Sequence, residues 1–66
     1  MITNGYRLFR FEDGPLQVLQ IVGGDVYEIE PDDELRAMPL GLYDVDMNYL
    51  GEEDENGDPI PPRPKQ

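Results

Sequence analysis

The chain contains no cysteine, no histidine and no serine, and Thr3 is its one threonine. Each absence removes a class of chemistry. Without cysteine no disulfide can staple the fold and no thiolate can hold zinc. Without histidine the commonest general base and the commonest transition-metal ligand are missing. With Cys, His and Ser all gone, so are the usual parts of a nucleophilic site. Paired carboxylates could still perform acid–base hydrolysis, but that chemistry needs a substrate cleft, for which 66 residues leave little room. The expectation is a protein that is not an enzyme.

Positive charge is scarce as well. Five basic residues face fifteen acidic ones, a formal net charge of -10 at pH 7. Such a surface repels nucleic acid backbones and anionic membranes and favours basic partners or cations. No run approaches the ~20 apolar residues of a membrane span. The opening "MITNGYRLFRFEDG" lacks a charged segment followed by an apolar one, so it does not read as a signal peptide. These features predict no direct contact with nucleic acid or membrane, and a location in the cytoplasm or in a particle assembled there.

A chain this short makes one small domain, which buries only about 60% of the surface that its unfolded form exposes. Its core should supply no more than about 3–5 kcal/mol without a staple. With disulfides excluded, the remaining staples are carboxylate-bound calcium or association with other chains, including copies of itself.

What is present reads as short strands. "GYRLFRF" runs into the turn "EDGP", "LQVLQIV" stops at Gly23-Gly24, and "DVYEIE" stops at Pro31. Apolar runs separated by such turn signals predict consecutive antiparallel strands. Tyr6 and Leu8 share one face of the first strand, while Phe9 and Phe11 straddle the other. That suggests burial on both faces or a face shown to a partner. Arg7 and Arg10 are expected to lay their aliphatic stems over those rings. Pro31 with Asp32 and Asp33 starts a single helical turn over 32–38, which Pro39 ends. Tyr43, Val45, Met47 and Tyr49 then recur with period two, the strongest strand signal in the chain.

The remainder, "GEEDENGDPIPPRPKQ", changes character. It holds four consecutive acids, Glu52 to Glu55, the turn "ENGDP", and four of the seven prolines. Alone it cannot bury enough apolar surface to offset its ordering entropy, and it should extend in a polyproline-like way. The predicted architecture is therefore all-β: a small four-stranded antiparallel sheet or partly open barrel over 1–51, with one short helical turn. An acidic turn and an extended C-terminal arm fill 52–66. The predicted core is Leu8, Phe9, Phe11, Val18, Leu19, Ile21, Tyr27, Ile29, Leu42, Tyr43, Val45 and Met47.

One stretch imitates a calcium loop. In "DVDMNYLGEEDE", Asp44, Asp46, Asn48 and Glu55 occupy positions 1, 3, 5 and 12 of a twelve-residue window. The glycine that such a loop needs at position 6 is Tyr49, however, and its apolar position 8 is Gly51. The alternating run upstream favours a strand with a wet acidic face, and neither metal nor cofactor is expected. A second reading concerns the acids as a field, since no Lys or Arg occurs from 37 to 62. Carboxylates displayed in a row could mimic nucleic acid and occupy a basic groove; alternatively they keep the protein soluble and protect a sheet edge. A third concerns "PIPPRPKQ", whose Pro-x-x-Pro spacing suits an arm that docks on another protein.

The stretches "RFEDGPLQVLQIVGGDVYEIE" and "YDVDMNYLGEEDENGDPI" together resemble small proteins of tailed bacteriophages, especially those of actinobacteria. The likeness covers roughly residues 9–60 and lies in the strand, Gly-Pro turn, aliphatic strand, "Y-E-hydrophobic" strand and later tyrosine strand leading into an acidic glycine turn. It departs from that pattern at Asp13-Gly14-Pro15, where a second Gly before the Pro is expected. The resemblance implies no catalytic residue. It implies a virion accessory protein or an inhibitor of host machinery. The expected role is a capsid decoration or cement protein that clamps neighbouring subunits through an exposed strand and the C-terminal arm; the alternative is an inhibitor that uses the acidic field to mimic nucleic acid. The residues expected to meet a protein partner are Tyr6, Phe9, Phe11, Asp44, Asp46, Glu52, Glu53, Asp54, Glu55, Ile60, Pro61, Pro62 and Arg63.

Overall fold

A computed structural model of the chain describes residues 2–61. Among them the backbone forms β1 (Asn4–Phe9), β2 (Gln17–Val22), β3 (Asp25–Ile29), α1 (Asp33–Arg36), β4 (Gly41–Tyr43), β5 (Tyr49–Glu53) and β6 (Pro59–Ile60). All-β is the architecture, but with six strands rather than four. They make one antiparallel sheet in the order β3-β2-β1-β4-β5-β6. The sheet stays open, because β3 and β6 are its two edges and do not pair to close a barrel.

The first three strands follow from their turns. Gly23 and Gly24 both take positive φ, 57° and 88°, the geometry of a two-residue hairpin whose twist matches its strands. Register then places Val22 opposite Asp25 and Val18 opposite Ile29. β1 is shorter than "GYRLFRF" implies. It stops at Phe9, and the chain turns where Gly14 N–H donates to the Phe11 carbonyl at 2.9 Å, with Glu12 at φ 53°.

The run from Tyr43 to Tyr49 is not a strand. It is a hairpin turn in which Tyr43 and Tyr49 face each other across β4 and β5. Their rings stand 5.2 Å apart. The apparent period of two comes from residues on both arms and at the tip of this turn. Val45, expected in the core, is exposed there.

One face of the sheet carries Tyr6, Leu8, Val18, Ile29 and Tyr43, in register across neighbouring strands. Leu35 of α1 and the nearby Met38 and Met47 pack against it. The helical turn lies within the expected 32–38 but covers only Asp33–Arg36, and Asp32 caps it through a carboxylate oxygen that accepts Leu35 N–H at 2.9 Å. Leu8, Leu16, Val18, Leu42 and Tyr43 are the buried core. Leu16 was absent from the predicted core because it lies ahead of β2, in the loop. Phe11, 74% exposed, and Tyr27 were wrongly placed inside; the chain has turned away before Phe11, and Tyr27 sits on the edge strand. Phe9, Leu19, Ile21, Ile29 and Met47 are half-buried. Tyr43 donates its hydroxyl to the Pro39 carbonyl, and Tyr49 donates to the Leu40 carbonyl at 3.1 Å, so two rings clamp the link between α1 and β4. Burial, with Tyr49 close by, raises the Tyr43 pKa above the ordinary tyrosine value.

The opposite face is covered in part by the sheet's own far end. The β5–β6 hairpin brings Glu53 onto Arg7 and Gly57 into a groove with Ile2, Thr3 and Gly24. That hairpin spans the boundary expected at 51/52, since Glu52 pairs with Ile60 and Glu53 with Pro59.

Candidate functional site

The acidic residues are the natural place to begin, and their backbone dictates where they go. Asp44 accepts the N–H groups of Asp46 and Asn48, both at 2.9 Å, and the Asn48 side-chain amide at 3.0 Å. Short polar side chains compete in this way for backbone donors, and here they bend the chain. Met47 completes the turn at φ 64°, a left-handed conformation unusual for a non-glycine residue. Ten residues later the same device recurs. Asp54 accepts the N–H groups of Asn56 and Asp58 at 2.8 and 2.9 Å, and Gly57 takes the left-handed position at φ 81°. Leu40/Leu50, Gly41/Gly51, Asp44/Asp54, Asp46/Asn56 and Asn48/Asp58 are thus equivalent positions of a ten-residue hairpin repeat.

This geometry decides what the acids can do together. The two loops sit at opposite ends of β5, roughly 14 Å apart along the strand. Glu55, in the second loop, is therefore remote from Asp44, Asp46 and Asn48, and the twelve-residue window does not converge on a point. Among the described residues no group of three or more acids is placed to hold a metal ion. The carboxylate of Asp44 works as a turn former. Its hydrogen bonds from the backbone and then the side chain of Asn48 hold its pKa below the ordinary aspartate value.

That shift has a sign that can be tested. A carboxyl whose folded pKa is depressed contributes stability above its unfolded pKa and loses it as the pH falls through the folded one. Stability should therefore drop below about pH 4. Asp44→Ala should lower the melting midpoint at neutral pH by several degrees. Asp44→Asn should keep more of the loop but flatten the acid dependence. Thermal melts followed by circular dichroism from neutral to acid pH check this; an Asn variant with the wild-type acid profile would count against the role of Asp44.

The other residues expected to meet a partner are dispersed. Tyr6 lies on the α1 side, its hydroxyl accepting from Gln20 at 3.4 Å. Phe9 lies on the opposite face under the Arg7 guanidinium, 4.1 Å from the ring centroid, and meets Phe11 edge-on at 5.2 Å. Glu53 is taken by its ion pair with Arg7. Asp46 and Glu55 are exposed at the two loop tips. Glu52, Ile60 and Pro61 come together with Tyr49 around a shallow hollow beside β6. Pro62 and Arg63 lie outside the described residues.

Two features were missed. The first is a groove of about 380 Å³ between α1 and the sheet, lined by Tyr6, Val18, Ile29, Asp32, Glu34, Leu35, Met38 and Met47. Only Tyr6 among these is a residue expected to meet a partner, since Val18, Ile29 and Met47 are expected in the core and Asp32 at the start of the helical turn. The i, i+3 spacing of Leu35 and Met38 was its one readable signal. The second is the edge strand β3, which among the described residues is hydrogen-bonded on one side only, with Val26 56% and Tyr27 53% exposed.

No protein-family model matches the chain, nor does any curated protein or solved structure. Among the described residues no helix is long and apolar enough to cross a membrane.

Proposed function

We propose that the chain is a non-enzymatic accessory protein that binds another protein through the edge of its sheet, and that it does so in a bacteriophage particle, decorating or cementing capsid subunits. The observation that carries this reading is β3. An edge strand presents a row of unpaired N–H and C=O groups that templates strand addition. Here that row is flanked by an exposed apolar residue on each face, Val26 and Tyr27. Asp25 and Glu28 punctuate the same strand, and in a chain of net charge -10 they favour a partner strand bearing Lys or Arg. The small core, five buried apolar side chains among the described residues, gives the protein reason to gain stability from such a contact. The phage setting rests on the resemblance over residues 9–60. Mimicry of nucleic acid is the weaker reading, because a row of carboxylates at phosphate-like spacing sits poorly with acids split between the turn before β5, alternating positions on the strand itself, where Glu53 is paired with Arg7, and the loop after it.

The test is mass spectrometry of particles purified from the host that expresses the chain, with Val26→Lys/Tyr27→Lys alongside. The wild-type protein should be present in stoichiometric ratio to a structural subunit, and the double variant should be lost from particles while staying folded. Particles without the wild-type protein would end the reading.

A further inference from the structure

We propose that the groove beneath α1 is a second docking site, for a short basic segment of a partner protein that places one or two large apolar side chains between Lys or Arg residues.

The groove is apolar at its floor and acidic at its rim. Ile29, Leu35, Met38 and Met47 line it and remain half-buried although they pack against the core. A volume of about 380 Å³ lies within the range of sites that take small ligands, roughly 300–1,000 Å³. Two methionines in the wall let it adapt to the shape of its occupant, because the thioether chain repacks at little cost. Asp32 and Glu34 stand at the mouth.

Among the described residues those carboxylates have no cation of their own. Each of the three described arginines is engaged elsewhere: Arg7 on Glu53, Arg10 on the Gly14 carbonyl at 3.0 Å, and Arg36 on Asp33 at 3.1 Å. One oxygen of Asp32 serves as the helix cap, and Glu34 has no ion pair among the described residues. Among the described residues, then, the mouth presents negative charge that no ion pair offsets over an apolar floor, on a molecule whose net charge is -10. A second copy of this chain or an acidic peptide is repelled from it, and a basic segment is steered to it. The apolar floor then selects among basic segments, because burying a large side chain there adds what charge alone does not. The site uses side chains of the covered face, not the free backbone of β3, so it stands whether or not strand addition occurs.

The experiment titrates the isotope-labelled full chain with two synthetic peptides. One has the sequence Lys-Leu-Lys-Phe-Lys; the other carries serine in place of its Leu and Phe. The first should bind about tenfold more tightly and shift the methyl resonances of Leu35, Met38 and Met47. Glu34→Gln, an exposed change that leaves the fold intact, should weaken that peptide several-fold, with less effect at high salt where charge is screened. Equal affinity for the two peptides, shifts confined to the loops around Asp44 and Asp54, or no binding would each overturn the proposal.

Discussion

Gly41→Ala is expected to abolish the native sheet at room temperature. Gly41 holds φ at 144°, a region that L side chains rarely adopt and that costs about 1–3 kcal/mol when forced. A Cβ at this position would also overlap the Gly51 carbonyl and stand 2.9 Å from the Tyr49 ring. Backbone cannot rotate away as a flexible side chain can, so relief requires β4 and β5 to part. That joint lies between the α1-covered strands and the C-terminal hairpin. With only about 3–5 kcal/mol of total stability available, strain plus a lost strand pairing exceeds the reserve. Gly51→Ala separates the two contributions. The new Cβ would overlap the Ile60 carbonyl, but only β6 lies beyond it, so β6 should detach while β1–β5 persist. Gly23→Ala is the control for backbone conformation alone: its φ is 57° and nothing stands within 4 Å of the added methyl. It should fold with stability reduced by about 1–2 kcal/mol. Amide exchange by NMR reads all three. Gly41→Ala melting within a few degrees of wild type would show that the β4–β5 joint yields where this geometry leaves no room for a Cβ.

The same glycines show where the sequence was readable and where it was not. Strands β1 to β3 declare themselves because each is bounded by residues with an intrinsic turn preference, Asp13-Gly14 and Gly23-Gly24, and because their apolar positions alternate. The helical turn is legible for a similar reason, with a proline and a capping aspartate at its start and Pro39 after its end. From Tyr43 to Tyr49 alternation misleads. Tyr–x–x–x–x–x–Tyr satisfies a period of two equally well as one straight strand or as two strands facing each other. The hydrogen bonds that decide between them come from the Asp44 carboxylate. The signal that could have decided it is the recurrence of Leu-Gly-x-x-Asp ten residues on, which marks a repeated hairpin and not a continuous strand. The groove was beyond reach for a different reason: its walls come from β1, β2, β3, α1 and the β4–β5 turn, and only tertiary packing brings Tyr6, Ile29, Leu35 and Met47 together. The spatial spread of the acids was not legible either, because sequence proximity of Asp44 and Glu55 conceals that β5 runs between them.

Leu8→Ala and Phe11→Ala, two apolar residues of the same segment, should differ by nearly the whole stability of the protein. Both belong to the aromatic and aliphatic run "YRLFRF", and periodicity alone ranks them as equal core candidates. Leu8 is 1% exposed and packs among Leu16, Val18 and Tyr43 at the centre of the covered face. Truncating such a leucine removes its transfer free energy and leaves a cavity, about 2–5 kcal/mol together. That is comparable to everything the core supplies, so Leu8→Ala should be largely unfolded at room temperature. Phe11 is 74% exposed and touches Phe9 edge-on at the start of the loop. An aromatic contact at the surface contributes at the low end of roughly 0.5–1.5 kcal/mol, so Phe11→Ala should melt within a few degrees of wild type. Urea unfolding followed by tyrosine fluorescence measures both, and it should be run at two protein concentrations. If the β3 edge or the exposed Phe11 is buried in a self-complex, stability will rise with concentration, and Phe11→Ala will then cost more at the higher concentration than at the lower. A Phe11 variant as damaging as Leu8→Ala at high dilution would instead place that ring in the core, and the turn at Glu12 would have to be redrawn.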